Sequence, residues 1–300
     1  MFDKNSSNVF SVGFSKKGAD AMDKSLVQDT RHGRLGGAVY ILPNLITTGN
    51  LFFGFLSIIK SMNGQFGWAA TAIFLAAIFD ILDGRVARLT KGTSEFGVQY
   101  DSLCDCVSFG VAPAFLMFQY GLLELGRIGW VACFMFMACG ALRLARFNVL
   151  SSIGKASGDF TGLPIPMAAI TVASFISLMV DIDQRHAIGG LANNIIVSFL
   201  LDTNMRKIFL VGLSPVLALL MVSNIIYKSH KVLKFSSIRP FQLLVILVML
   251  VSIVAFAPEM VGFGLIFFYV LSGPLAWAFG WTKLTSEDEI FAESSFDEEP

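Results

Sequence analysis

A chain of 300 residues that is 55% hydrophobic and only 15% charged, with 29 phenylalanines and a mean hydropathy of +0.69, is too apolar for a soluble domain of its length. Its 22 lysines and arginines balance 22 aspartates and glutamates. Zero net charge gives no support to a nucleic-acid partner, and the composition is that of a polytopic membrane protein.

The first 36 residues mix Ser, Lys, Asp and Gly without an apolar run long enough for the core of a signal peptide. Residues 1–38 are therefore expected to be a retained cytoplasmic segment. Within it, Val9 to Val27 reads either as a weak amphipathic helix on the membrane surface or as disorder. A membrane span needs about 20 mostly apolar residues. Eight such runs follow, at about 42–60, 66–84, 99–123, 128–149, 164–181, 207–227, 241–257 and 259–280. Asn193 to Leu201 is a shorter apolar run, interfacial rather than spanning. Pro43, Pro164, Pro166 and Pro258 sit at span starts or turns, where a missing N–H is tolerated. Pro215 lies inside the sixth span and predicts a kink. The expected fold is an all-α polytopic transmembrane bundle: a membrane core over 39–235, two additional helices within 236–281, and an acidic cytoplasmic tail over 282–300.

Cys104, Cys106, Cys133 and Cys139 all fall in or beside apolar runs, in no spacing that suggests a zinc site or a disulfide framework. They read as small membrane-core side chains. Orientation follows from the basic residues. With the N-terminus in the cytoplasm, seventeen lysines and arginines from Lys4 to Lys283 lie on that side, against Lys60, Arg127, Arg185, Arg206 and Lys207 on the other. The expectation is an integral protein of the cytoplasmic (inner) membrane, with Asp80, Asp83, Asp101 and Asp105 at its cytoplasmic face.

Those four aspartates are the most informative feature of the chain. Carboxylates on segments greasy enough for a bilayer are costly unless a cation or a proton path requires them. Asp80 and Asp83, spaced i, i+3, share a face at the end of the second span; Asp101 and Asp105, spaced i, i+4, share one at the start of the third. A short connection makes these two helices antiparallel neighbours, so the pairs can converge. Converging carboxylates repel, hard divalent cations relieve the repulsion, and all-oxygen ligation favours Mg²⁺ or Mn²⁺ over zinc. Gly84, Ala87 and Gly97 let helix backbones approach closely and leave room for a ligand. Arg88, one turn after Gly84, offers a planar fork to phosphate oxygens. Metals and an arginine beside small residues describe a diphosphate site.

The spacing Asp80-x2-Asp83-Gly84-x2-Ala87-Arg88-x8-Gly97-x3-Asp101-x3-Asp105 matches every fixed position of the signature of the CDP-alcohol phosphotransferases, and the chain resembles that family. The resemblance implies a core of six transmembrane helices, usually in a homodimer, with a two-metal site open to the cytoplasm. It also implies that Asp80, Asp83 and Asp101 bind metal, and that Asp105 binds metal and accepts a proton. Gly84, Arg88, Ser94 and the stretch Pro43-Asn44-Leu-Ile-Thr47 would contact the CDP moiety, with Ala87 and Gly97 in the same liponucleotide pocket. The chemistry implied is attack of an acceptor hydroxyl on the lipid-side phosphorus of CDP-diacylglycerol, with CMP leaving and two cations spreading the charge. Asp105 lies deepest along its helix, where an acceptor held below the diphosphate would sit, and is the expected base.

Arg143 and Arg146, spaced i, i+3 near the end of the fourth span, read either as flanking positive charge or as holders of the acceptor's anionic group and a phosphate, with Asn148 as an auxiliary partner. Such arginines fit the carboxylate of L-serine and equally glycerol 3-phosphate. Asn50-Leu-Phe-Phe-Gly54-Phe-Leu, Leu142-Arg-Leu-Ala-Arg146-Phe-Asn148 and Gly162-Leu-Pro164-Ile-Pro166-Met-Ala look like the family's branch of membrane-integrated bacterial and archaeal phosphatidylserine synthases. That resemblance implies CDP-diacylglycerol and L-serine as substrates. A sister transferase using glycerol 3-phosphate, inositol phosphate or choline is the alternative within the family. Outside it, intramembrane acids could mark a cation- or proton-coupled transporter. Against that, the acids cluster at one face, and no repeat of their pattern occurs in the second half. Neither the last two spans nor the acidic tail is accounted for by a six-helix core.

Overall fold

The computed structural model describes residues 41–90, 94–152, 160–188, 201–227 and 258–280. Among these, seven helices are long and apolar enough to cross a membrane: α1 (Ile41–Met62), α2 (Phe66–Thr90), α3 (Glu95–Leu125), α4 (Arg127–Ser152), α5 (Ile165–Ala187), α6 (Thr203–Val222) and α7 (Pro258–Ala278). They correspond to seven of the eight expected spans. The eighth, 241–257, lies outside the described residues, as do Val9 to Val27, the acidic tail, and all of the Asn193 to Leu201 run except Leu201.

Helix α5 is the centre of the bundle, with 67% of its apolar window buried against 11% for α7. Lipid tails are as apolar as leucine, so burial alone does not hold such helices together; close backbone approach and dispersion do. The sequence supplies that closeness with alanine. Ala69, Ala70, Ala72, Ala76 and Ala77 form the buried face of α2, which packs on Ala168, Ala169, Val172, Ala173 and Ile176 of α5. Helix α6 lies on α4, and α7 packs on α5. Large apolar side chains such as Phe52, Phe55, Trp130 and Phe268 are exposed, as a lipid-facing surface requires.

Two boundaries differ from the sequence expectation in ways that matter. Helix α2 does not stop at Gly84 but runs on to Thr90, so Asp80 and Asp83 stand inside the helix rather than at its tip. Helix α6 ends at Val222, five residues before the expected end of that span. Ser223 turns extended (φ −65°, ψ 155°), and Ile226–Tyr227 (β2) pairs antiparallel with Phe160–Thr161 (β1). The apolar run continued past the helix because Ile225 and Tyr227 are buried, and hydrophobicity alone does not separate a buried strand from a helix end. Pro215 is accommodated without ending α6.

Helix α3 widens twice, into π-type turns at Cys106–Val111 and Phe118–Leu122. Pro113 follows the first of these. Its ring would clash with the carbonyl four residues earlier, and an expanded turn relieves that clash within a membrane helix. The widening begins directly after Asp105.

The two ends of the bundle are chemically distinct. At one, Arg206 makes a bidentate pair with Asp183 (2.7 and 2.6 Å), Lys207 pairs with Glu124, and Arg185 reaches Asp181 at 2.6 Å and Glu259 at 3.7 Å. The last of these contacts joins α5 to the start of α7. At the other end the β1–β2 pair closes the bundle: Gly162 (φ +75°) donates to the Ile225 carbonyl at 2.9 Å, and Leu163 donates to the Leu220 carbonyl at 2.9 Å. A side chain at Gly162 would be strained by that φ and would collide with the Met221 carbonyl. Tyr227, 1% exposed, donates its hydroxyl to the Val270 carbonyl of α7 at 3.1 Å.

Candidate active site

At the end of the bundle closed by the strands, five helices enclose a cavity of about 560 Å³. Helix α1 contributes Pro43, Asn44 and Thr47; α2 contributes Asp80, Asp83, Gly84, Ala87 and Arg88; α3 with its cap contributes Ser94, Gly97, Asp101 and Asp105; α4 contributes Arg143 and Asn148. The start of α5, Pro164-Ile165-Pro166, forms the remaining wall. Every candidate residue from the sequence therefore lines this one cavity except Arg146.

The local reasons are simple. Ser94 caps α3, its Oγ accepting the Gly97 N–H at 3.0 Å, which starts the helix early enough to bring Asp101 and Asp105 round to face α2. A Cβ at Gly97 would press on Ser94 Oγ and Asn44 Oδ1, so this glycine seats α3 against its own cap and α1. At Gly84 the direction a Cβ would take is open, so a side chain there would project into unfilled space at the cavity wall. Arg88 donates from Nε to the Gly84 carbonyl at 2.9 Å, which holds its side chain back along α2 at the mouth of the cavity.

Asp80, Asp101 and Asp105 each present an oxygen so that all three lie within 4.8 Å of one another. Asp83, 4% exposed, is an electrostatic neighbour of Asp80 and Asp101 but stands outside that three-way group. Thr47 and the Gly84 N–H lie beside it. Asp83 Oδ2 and Asp101 Oδ1 are buried without a hydrogen-bond partner among the described residues. Buried carboxylate oxygens left unpaired among neighbouring acids are unfavourable as they stand. A divalent cation corrects that imbalance, and an all-oxygen donor set suits a hard one. The residues present thus fit a divalent metal.

The two arginines of α4 diverge. Arg143, 9% exposed, faces the cavity within electrostatic reach of Asp105, and its Nε is buried with no partner among the described residues. Arg146 turns away, donating to Asn224 Oδ1 at 2.7 Å and to the Val222 carbonyl at 3.4 Å. The i, i+3 spacing puts both Cα atoms on neighbouring positions of one face. The Val222 carbonyl that ends α6 and the Asn224 side chain just beyond it then draw the Arg146 guanidinium to themselves, as a helix C-terminus does with cations. Of the two arginines expected at the acceptor site, Arg143 lines the cavity and Arg146 does not.

Two residues not singled out as candidates join the site. Ser102 and Asn148 hydrogen-bond each other across α3 and α4, Asn148 Nδ2 donating to Ser102 Oγ at 2.9 Å. Nothing in the sequence around Ser102 marks it beyond its place next to Asp101. Asn50 of α1, fully buried, donates from Nδ2 to Asp105 Oδ1 at 2.9 Å. Here the signal was present: an amide in the middle of an apolar span is as conspicuous as a carboxylate.

A family model described as CDP-alcohol phosphatidyltransferase matches residues 40–201, the stretch that contains all of these side chains. The chain belongs to the CDP-alcohol phosphatidyltransferase family. It is similar to the CDP-diacylglycerol–serine O-phosphatidyltransferase of Helicobacter pylori strain J99, with 37% identity over 246 residues, 82% of this chain and 94% of that protein. It is also similar to the archaetidylserine synthase of Methanothermobacter thermautotrophicus, 45% identical over 136 residues, covering 45% of this chain and 57% of the relative. The CDP-diacylglycerol–serine O-phosphatidyltransferase of Mycobacterium tuberculosis is 35% identical over 156 residues, 51% of this chain and 54% of that protein. Membership in the CDP-alcohol phosphatidyltransferase family implies a divalent metal, which agrees with the donor set formed by the aspartates.

Proposed function

We propose that this protein transfers the phosphatidyl group of CDP-diacylglycerol to the hydroxyl of L-serine, giving phosphatidylserine and CMP. The observation that carries the reading is the carboxylate cluster at the closed end of the bundle, in one cavity with a buried arginine. Similarity to serine transferases, in one case along 94% of the relative's length, supports the choice of acceptor.

In this reading the hydroxyl oxygen of serine forms a bond to the lipid-side phosphorus, the bond from that phosphorus to the bridging oxygen breaks, and CMP departs with the electron pair. Asp105 takes the hydroxyl proton. Asp80, Asp83, Asp101 and Asp105 would hold two divalent cations, Mg²⁺ or Mn²⁺, which when bound supply charge neutralisation on the attacking and leaving oxygens. Pro43, Asn44, Thr47, Gly84, Ala87, Arg88, Ser94 and Gly97 form the liponucleotide side of the cavity, and Arg143 with Asn148 the acceptor side. The distribution of lysine and arginine supports a cavity open to the cytoplasm in the inner membrane. The assembly we propose is a homodimer. The domain plan is a cytoplasmic segment over 1–38, a catalytic core over 39–235, two added helices within 236–281 and an acidic tail over 282–300.

The test is release of CMP from CDP-diacylglycerol by the purified protein. Release is expected only when serine and a divalent cation are both present, and to stop on adding a chelator. Equal or faster release with glycerol 3-phosphate would move the protein to another branch of the family. Uptake of a solute into vesicles without CMP release would replace the transferase reading with a transporter.

The divergence of the two arginines separates their expected effects. Arg143→Ala removes the buried cation within electrostatic reach of Asp105, and a charge-assisted hydrogen bond to the serine carboxylate contributes about 1.5 to 3 kcal/mol. The serine KM should rise on the order of tenfold to a hundredfold, with the KM for CDP-diacylglycerol little changed. Arg146→Ala removes a cap from α6 and should lower the unfolding temperature in detergent while leaving the serine KM unchanged. A normal serine KM in Arg143→Ala would mean that serine is held by other residues.

A further inference from the structure

Asn50 sits in the interior of α1, is fully buried, and belongs to none of the liponucleotide or acceptor contacts assigned above. Three contacts fix it. Its Nδ2 donates to Asp105 Oδ1 at 2.9 Å, and its backbone carbonyl accepts the Ser108 hydroxyl at 3.0 Å. One turn further along α1, Gly54 lies so close to Ser108 that a Cβ would overlap it. Ser108 is three residues after Asp105, within the first π-type widening of α3. The α1–α3 contact therefore grips α3 at Asp105 and again at Ser108, and the amide has little freedom to move.

The direction of the amide is set by its partner. Turned the other way, Asn50 Oδ1 would face a carboxylate oxygen, acceptor against acceptor; as it stands, the N–H donates and Oδ1 is left buried without a partner among the described residues. A buried amide with its acceptor unmet is unfavourable in a membrane helix, where an apolar side chain would pack better. Its geometry serves Asp105 rather than the bundle.

We propose that Asn50 is a positioning residue for Asp105: by engaging Oδ1 it fixes the carboxylate plane and keeps Oδ2 for the acceptor's proton. This rests on the role given to Asp105 above. Partners that orient a catalytic or metal-binding group typically contribute tenfold to a hundredfold in activity when removed.

The experiment uses the full-length protein in detergent or liposomes, with kcat per folded molecule and both KM values measured for Asn50→Leu and Asn50→Asp, beside Asp105→Asn. Asn50→Leu keeps the volume and removes the donor; Asn50→Asp keeps the shape and puts an acceptor where the donor was. The expected result is a fall in kcat of about tenfold to a hundredfold in both variants, with each KM within about threefold of the parent. A purely packing role predicts less folded protein with unchanged kcat per folded molecule, and that result overturns the proposal. So does failure of both variants to fold. If Asp105→Asn is inactive while the Asn50 variants turn over normally, the positioning role alone falls. If Asp105→Asn is itself active, the role of Asp105 is wrong and the positioning role goes with it.

Discussion

Asp101→Asn should lose transfer by on the order of a thousandfold while the protein still folds and inserts. The substitution changes almost no volume. It removes one of the charges gathered within 4.8 Å and puts an amide NH2 in place of one carboxylate oxygen. At an effective dielectric of about 20, two unit charges about 4 Å apart repel by about 4 kcal/mol, so without metal the substitution relieves strain rather than creating it. The expected signature is therefore paired. In chelator, the unfolding temperature of Asp101→Asn should equal or exceed that of the parent. With Mg²⁺ or Mn²⁺ present the parent should be stabilised and the variant much less so, because a ligand stabilises in proportion to its affinity for the folded state. Turnover within tenfold of the parent would sink the metal-site reading, whatever the stability data show.

Asp105→Asn should be comparably damaging for a different reason. An asparagine at this position can still accept from Asn50 Nδ2, so the α1–α3 contact survives, but it cannot take a proton at neutral pH. General-base removal commonly reduces rate by about a hundredfold to ten-thousandfold. If affinity for CDP-diacylglycerol stays within about threefold while transfer disappears, the base role is supported. If nucleotide affinity and rate fall together, Asp105 acts as a metal ligand alone.

Much of this site was legible because its residues obey two periodicities at once. The i, i+3 and i, i+4 aspartate pairs and the short α2–α3 connection predict convergence from helix geometry alone, and the cavity holds both pairs. What helix periodicity conveys is where a Cα stands, not where a long side chain ends. Arg143 and Arg146 show the limit, since the acceptors that attract Arg146, the Val222 carbonyl and Asn224 Oδ1, lie at and just past the end of α6, more than seventy residues away in sequence. Asp83 shows a finer one: its spacing from Asp80 puts it in the cavity but outside the tightest group of oxygens. The strand at Ile226–Tyr227 was hidden for a related reason. Its partner is another chain segment, and hydropathy carries no information about pairing.

Helix α7 is held at two heights. Near its start, Glu259 meets Arg185 of α5; higher up, Val270 receives the Tyr227 hydroxyl, and Gly273 is packed so closely on the Tyr227 ring that a Cβ would overlap it. Tyr227 is the end of the strand whose partner, Phe160–Thr161, leads through Gly162 and Leu163 into the Pro164-Ile165-Pro166 wall of the cavity. The final helix is thus a splint, mechanically continuous with the mouth of the site through a tyrosine and two hydrogen-bonded strands. It is not a detachable module, and shortening the chain before it is expected to unseat the Pro164-Ile165-Pro166 wall of the cavity.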